Sequence, residues 1–135
     1  MRIIVIDGQG GGIGRSLVEQ LKKQCPQHEV LGVGINAIAT AAMVKAGADG
    51  GATGESAVCY NCAHADFIVG PIGLVLVGSM LGEVSAAIAA AVSASEAEKV
   101  LIPVSKCHAH IAGVKDQPIG RLLDDALAEI KRLVG

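Results

Sequence analysis

The stretch Arg2-Ile-Ile-Val-Ile-Asp7-Gly8-Gln9-Gly10-Gly11-Gly12-Ile13-Gly14-Arg15-Ser16 decides how the rest of the chain is read. Its first part is a β-branched run closed by a carboxylate, as expected for a strand buried on both faces of a parallel sheet. Glycines follow, and then Ile13, Leu17, Val18 and Leu21 recur at helical spacing, with Glu19, Gln20, Lys22 and Lys23 on the other face. A strand that passes through glycines into a helix brings backbone close to whatever lies above it. The helix amino terminus also offers unpaired N–H groups and a partial positive charge to an anion. The stretch therefore predicts a βα unit with a phosphate-binding turn at Gly8–Gly14.

The same alternation continues outward. Pro26 ends the first helix, Glu29–Asn36 reads as a second strand, and Ala37–Ala46 as an alanine-rich helix closed by Gly47. A short third strand is expected within Ala48–Gly54, a helix over Glu55–His64, and a fourth strand at Asp66–Gly70. Gly73–Leu81 reads as a buried helical segment, Ser85 as the N-cap of a helix running to about Ser95, and Lys99–Val104 as a fifth strand. From Pro118 the stripe Leu122, Leu123, Ala126, Leu127, Ile130 and Leu133 marks a last amphipathic helix. Strand alternating with helix predicts right-handed crossovers: a single-domain, three-layer α/β fold, Rossmann-like and doubly wound, with a parallel sheet of about five strands over residues 1–135. Ligands on such sheets lie beyond the carboxyl ends of the strands. That edge collects Asp7–Gly14, Asn36, Gly50–Gly54, Gly70–Gly73 and Ser105–Gly113, whereas Cys25 and His64 fall on the opposite one.

Composition narrows the partners. Hydrophobic residues make up 51% of the 135 and charged residues 18%, which excludes an intrinsically disordered chain. A net charge of −2, one Tyr, one Phe and no Trp provide neither the electrostatics nor the stacking surface for nucleic acid. Phe67–Leu81 is uncharged but is interrupted by Gly70, Pro71, Gly73 and Gly78 and falls short of the roughly 20 apolar residues of a membrane span. With four Cys and no export signal ahead of Ile3–Ile6, the expected setting is the cytoplasm. Apolar Ala-, Gly- and Val-rich segments exceed what a small domain covers, so a homodimer is expected, with Gly73–Val92 as its candidate interface.

Gly8-x-x-x-Gly12-Ile13-Gly14 resembles the Gly-x-x-x-Gly-Ile-Gly loop of short-chain dehydrogenases. That resemblance implies a dinucleotide ligand on Gly8, Gln9, Gly10, Gly11, Gly12, Ile13 and Gly14, with Arg15 as a nearby charge. Asn36, at the end of the second strand, is expected to contact a ribose without repelling a 2′-phosphate, which leaves NAD and NADP equal as cofactors. Gly70 and Pro71 are expected to flank a base or nicotinamide ring. The dehydrogenase pair Tyr-x-x-x-Lys is missing, since the one tyrosine, Tyr60, has His64 at that spacing. In another frame Gly10–Ser16 resembles the deviant Walker loop of partitioning ATPases, with Gly10 and Arg15 in place of both lysines. Over nearly the whole chain, the segments IDGQGGGIGR, ADFIVGPIGLVLVGSMLGEVSAAIAAAV and KVLIPVSKCHAHIAGV resemble a small bacterial family catalogued only as a domain of unknown function. This implies a Rossmann-like domain and no particular reaction.

Two further groups carry chemistry. Lys106 and His108 stand on the ligand edge as candidate catalytic residues, a phosphate partner and a general acid or base. Cys59, Cys62 and His64 together with Cys107, His108 and His110 contain enough ligands for zinc, but the topology places the two halves at opposite edges, so no metal site is expected. Glu83, the lone charge in a long apolar stretch, either supports the helix begun at Ser85 or faces a neighbouring subunit. The reading that results is a nucleotide- or dinucleotide-binding protein. Its alternatives are a small oxidoreductase completed by a second subunit, and a non-catalytic scaffold or metal-binding partner protein.

Overall fold

Alternation within the central strand organises two cores. In β1 (Arg2–Asp7) Ile3 and Val5 point to one face, Ile4 and Ile6 to the other, and all four are fully buried. A strand buried on both faces needs helices on both, and the chain supplies them. In the computed structural model, which describes residues 1–104 and 108–134, α1 (Gly12–Gln24), α2 (Ala37–Lys45) and α5 (Ile119–Val134) cover the Ile3/Val5 face through Leu17, Val18, Leu21, Met43, Ala126, Leu127 and Ile130. On the Ile4/Ile6 face, α3 (Glu55–Cys62) and α4 (Ala86–Ala94) contribute Val58, Cys62, Ile88, Ala89 and Val92. Each fully buried aliphatic side chain is worth about 1.5–3 kcal/mol, so the two cores carry the sheet.

β2 (Glu29–Gly34), β3 (Gly50–Thr53), β4 (Phe67–Pro71) and β5 (Glu98–Ile102) complete a five-stranded parallel sheet of order β3-β2-β1-β4-β5. Register pairs Ile3 with Val30 on one side and with Phe67 on the other, and brings Asp7 level with Gly34. The order reverses between β1 and β4, so the turns after these strands diverge and leave a crevice at their carboxyl ends. Close approach there depends on Gly70: a Cβ on it would lie 2.4 Å from the Ile6 carbonyl oxygen and 2.6 Å from Leu74 Cδ1.

The fold class and the order of elements match the sequence reading, and Ser85 caps α4 as expected, its hydroxyl accepting the Ile88 N–H at 3.2 Å. The second strand stops at Gly34 rather than Asn36, because Asn36 is the N-cap of α2: its Oδ1 accepts the Ala39 N–H at 2.9 Å. The larger correction is Gly73–Leu81, which is not a helix. A single 3-10 turn over Ile72–Val75 gives way to consecutive turns, with Gly78, Met80, Leu81 and Gly82 all at positive φ (87°, 59°, 56° and 95°). Leu81 is 98% exposed, so this apolar run cannot be a buried helix. No helix among the described residues is long and apolar enough to cross a membrane.

Candidate functional site

The glycine turn is built around the last side chain of β1. Asp7 is buried, and its two oxygens accept the N–H groups of Gly8 at 2.8 Å and Gly14 at 2.7 Å, one at each end of the turn. Burial pushes its pKa up, partly offset by these bonds, and the Glu83 charge adds to the rise. Between the two clamped ends the chain makes its bend with Gln9 at φ 47° and Gly11 at φ 72°. Gly11 is indispensable sterically as well, because a Cβ there would fall 2.8 Å from the Ala39 Cα. Its N–H bonds the Gly8 carbonyl at 2.9 Å.

The turn's donors thus divide into two sets. Gly8, Gly11 and Gly14 spend their N–H groups on Asp7 and on the turn itself. The Ile13 N–H also turns to the Asp7 carboxylate, whereas the N–H groups of Gly10 and Gly12, just before and at the start of α1, have no hydrogen-bond acceptor among the described residues. Gly10 and Gly12 are exposed, and a Cβ on either would meet nothing within 4 Å. Arg15, one turn further on, is exposed and forms no ion pair among the described residues. No carboxylate occupies the first turn of α1.

The crevice forms a cleft of about 510 Å³ bounded by Asp7, Gly8, Gln9 and Ile13 on one side and by Pro71, Gly73 and Ser79–Leu81 on the other. Val104 and Ile119 close its end and also border a neighbouring cavity of about 470 Å³ that holds His110, Lys115 and Asp116. Ser79 is 7% exposed and packs against Gly73, and its hydroxyl has no hydrogen-bond partner. A buried hydroxyl left unpaired costs stability unless something completes it. Across the cleft Met80 Sδ lies over Gly8, within 2.7 Å of where a Cβ would stand.

Glu83, left by the sequence between the helix begun at Ser85 and a neighbouring subunit, binds the glycine turn. It does not cap α4: Oε1 accepts the Gln9 N–H at 2.5 Å and Oε2 accepts the Asn36 Nδ2 donor at 2.6 Å. The partner of the Ser85 hydroxyl is Glu55 instead, at 2.5 Å. Asn36 Nδ2 also donates to the Gln9 carbonyl at 3.0 Å, so both hydrogens of its amide are committed within the fold.

Of the residues singled out from the sequence, Gly8–Arg15, Asn36, Gly70 and Pro71 gather at the carboxyl edge of β1, β2 and β4. Gly70 serves strand packing, and Pro71 lines the cleft. His108 is exposed at φ 55°, and His110 borders the neighbouring cavity. Lys106 and Cys107 lie outside the described residues. Cys62 and His64 end α3 at the opposite edge, where Tyr60 and His64 rings stack at 4.4 Å and the His64 Nδ1 pairs with the Tyr60 carbonyl oxygen. Burial, and secondarily Cys59, pushes the Cys62 thiol up to about 11.

A five-stranded parallel sheet with helices on both faces, a glycine turn after β1 and a cleft at the reversal of strand order define a Rossmann-like α/β protein. Residues 2–135 match the family described as Domain of unknown function (DUF3842), and the chain belongs to that family. No curated protein matches it in sequence. Among solved structures, a dodecameric FMN-dependent Ubix-like decarboxylase from Escherichia coli O157:H7 is similar, with a TM-score of 0.52 at 14% identity, covering 97% of this chain and 94% of that one. At that identity the likeness is one of fold.

Proposed function

We propose that this chain binds a nucleotide-type ligand in the switch-point cleft, with a phosphate on the N–H groups of Gly10 and Gly12 and Arg15 beside it. The observation that carries the reading is the division of the turn's donors. Those required to hold the bend are satisfied internally, and those of Gly10 and Gly12 are left open in front of unobstructed space. A helix amino terminus with free N–H groups is an anion site by charge and geometry alike. The unpaired Ser79 hydroxyl on the facing wall is an independent sign that the cleft is completed by a ligand.

The finer reading is a dinucleotide of the NAD or NADP type lying across the crevice past Pro71. FMN, named for the similar decarboxylase, belongs among the ligands to be tested. A homodimer in the cytoplasm is part of the same reading; the exposed Val77 and Leu81 within Gly73–Val92 support a covered face there.

The test is a thermal-shift panel of NAD, NADP, FMN, FAD, ATP and GTP on ligand-free protein, repeated on Gly12→Asp. A ligand present at a hundred times its Kd adds about 2.7 kcal/mol, a midpoint rise of roughly 10 °C for a chain of this size. A selective rise that disappears in the variant supports the proposal. No rise with any of them at millimolar concentration overturns it and favours a scaffold.

A further inference from the structure

The cleft wall at Ser79, Met80 and Leu81 concentrates three costs in three consecutive residues. Met80 and Leu81 are non-glycine residues held in the left-handed region, at φ 59° and 56°. Such strain persists only where the surroundings enforce it, and it gathers at ligand clamps and switches. Leu81 is also 98% exposed, which leaves a large apolar side chain in water at the mouth of the cleft. Ser79 carries the third cost, a buried hydroxyl without a partner. That hydroxyl packs against Gly73 and is closed off from solvent, so a ligand in the cleft reaches it only when the turn shifts.

The same stretch has hinges and anchors. Gly78 and Gly82 flank it at φ 87° and 95°, each with nothing within 4 Å of where a Cβ would stand, so both can absorb a change in backbone angles. Beyond the glycines the ends are fixed: Leu74 and Val84 are buried in the core, and Glu83 accepts the Gln9 N–H of the glycine turn. An anchored segment with a strained middle is readily tipped into a second arrangement by an occupant that binds that arrangement better. We propose that Gly78–Gly82 is a lid on the cleft. With the cleft occupied, Leu81 leaves the left-handed region and folds from solvent onto the ligand, and the Ser79 hydroxyl turns to bond it. Pro71, Gly73, Met80 and Leu81 make this wall apolar apart from Ser79. What the lid covers is therefore a carbon-rich ring with a hydrogen-bonding group at its edge, not a phosphate. The lid rests on the nucleotide reading above, since it closes on the same ligand.

Strain in the open lid ties stability to affinity with opposite signs. Leu81→Gly removes the left-handed penalty at a residue that is almost wholly exposed, so the ligand-free melting midpoint should rise by about 2–4 °C. The open lid is then favoured over the closed one. Whichever of NAD, NADP, FMN, FAD, ATP and GTP binds wild type should bind this variant at least about fivefold more weakly by isothermal titration. Ser79→Ala deletes the unpaired hydroxyl, so it should melt no lower than wild type and bind the same nucleotide about fivefold more weakly. Stability kept or raised while affinity falls, in both variants, supports the lid. Affinity within about twofold of wild type in either folded variant overturns it and leaves the nucleotide site standing. A midpoint that does not rise in Leu81→Gly overturns it as well. Where that midpoint falls and depends on protein concentration, the leucine is covered by a second copy instead. Binding of none of these nucleotides to wild type overturns the nucleotide reading and the lid together.

Discussion

Gly12→Asp separates what the glycine turn does for stability from what it does for a ligand. Gly12 is the first residue of α1, is exposed, and has nothing within 4 Å of the position a Cβ would take. The backbone there is not left-handed, so a side chain enters without strain. No acidic residue occupies that first turn in the wild type. An aspartate gains about 0.3 kcal/mol in helix propensity over glycine. It gains a further 0.3–1 kcal/mol, roughly, from the helix dipole. Unfolding a chain of this length changes entropy by about 0.28 kcal/mol per kelvin, so the midpoint should rise by about 2–4 °C. Binding should move the other way. The new carboxylate stands on the residue whose own N–H is open and close to the open N–H of Gly10, and like charges brought together cost several kcal/mol. A phosphate ligand should therefore weaken by at least about a hundredfold. Calorimetric melts without ligand, followed by titration with whichever nucleotide shifts the wild type, measure both halves. A midpoint lowered by several degrees would mean that the space before α1 is not open. Binding retained within about threefold would mean that the phosphate lies elsewhere.

Gly70→Ala tests the crevice floor. Its Cβ would press on the Ile6 carbonyl and Leu74, and overpacking of this kind costs about 1–3 kcal/mol, readable as a lowered urea midpoint at unchanged slope. Asp7 carries a pKa raised by burial, so the folded state holds its proton more tightly than the unfolded chain does. The stability this adds is complete below the ordinary value of 3.8 and is lost as pH rises through the raised value. Wild type should accordingly gain on Asp7→Asn as pH is lowered through that window in parallel denaturant titrations, and a constant difference between the two would contradict the burial of the charge. With its thiol near 11, Cys62 should alkylate on the order of a hundredfold more slowly at pH 8 than an ordinary cysteine, while the partly exposed Cys59 reacts first; peptide mass spectrometry follows both.

The fold was legible because its signals are local. Arg2–Asp7 reads as a two-faced strand from six residues, and the last helix from the recurrence of Leu123, Leu127 and Ile130. The turn over Gly73–Leu81 misled for an equally local reason: apolar residues at near-helical spacing hide the demand for left-handed backbone at Met80 and Leu81, two residue types that rarely adopt it. Half of the site was visible and half was not. Gly8–Gly14 announces itself, but the cleft's opposite wall at Ser79 and the hold of Gln9 and Asn36 on Glu83 join segments far apart in sequence. The one clue was the isolation of Glu83 in an apolar stretch, which says that a charge has a partner without saying which.

The glycines of the turn also constitute a natural record. Gly8, Gly11 and Gly14 are crowded by Met80, Ala39 and Asp7, whereas Gly10 and Gly12 are crowded by nothing. Drift under selection for folding alone would keep the first three and release the other two to alanine, serine or aspartate. In any lineage where Gly10 and Gly12 have drifted while the crowded three persist, the architecture has outlived its ligand; where all five are retained, something outside the polypeptide is still selecting for bare backbone.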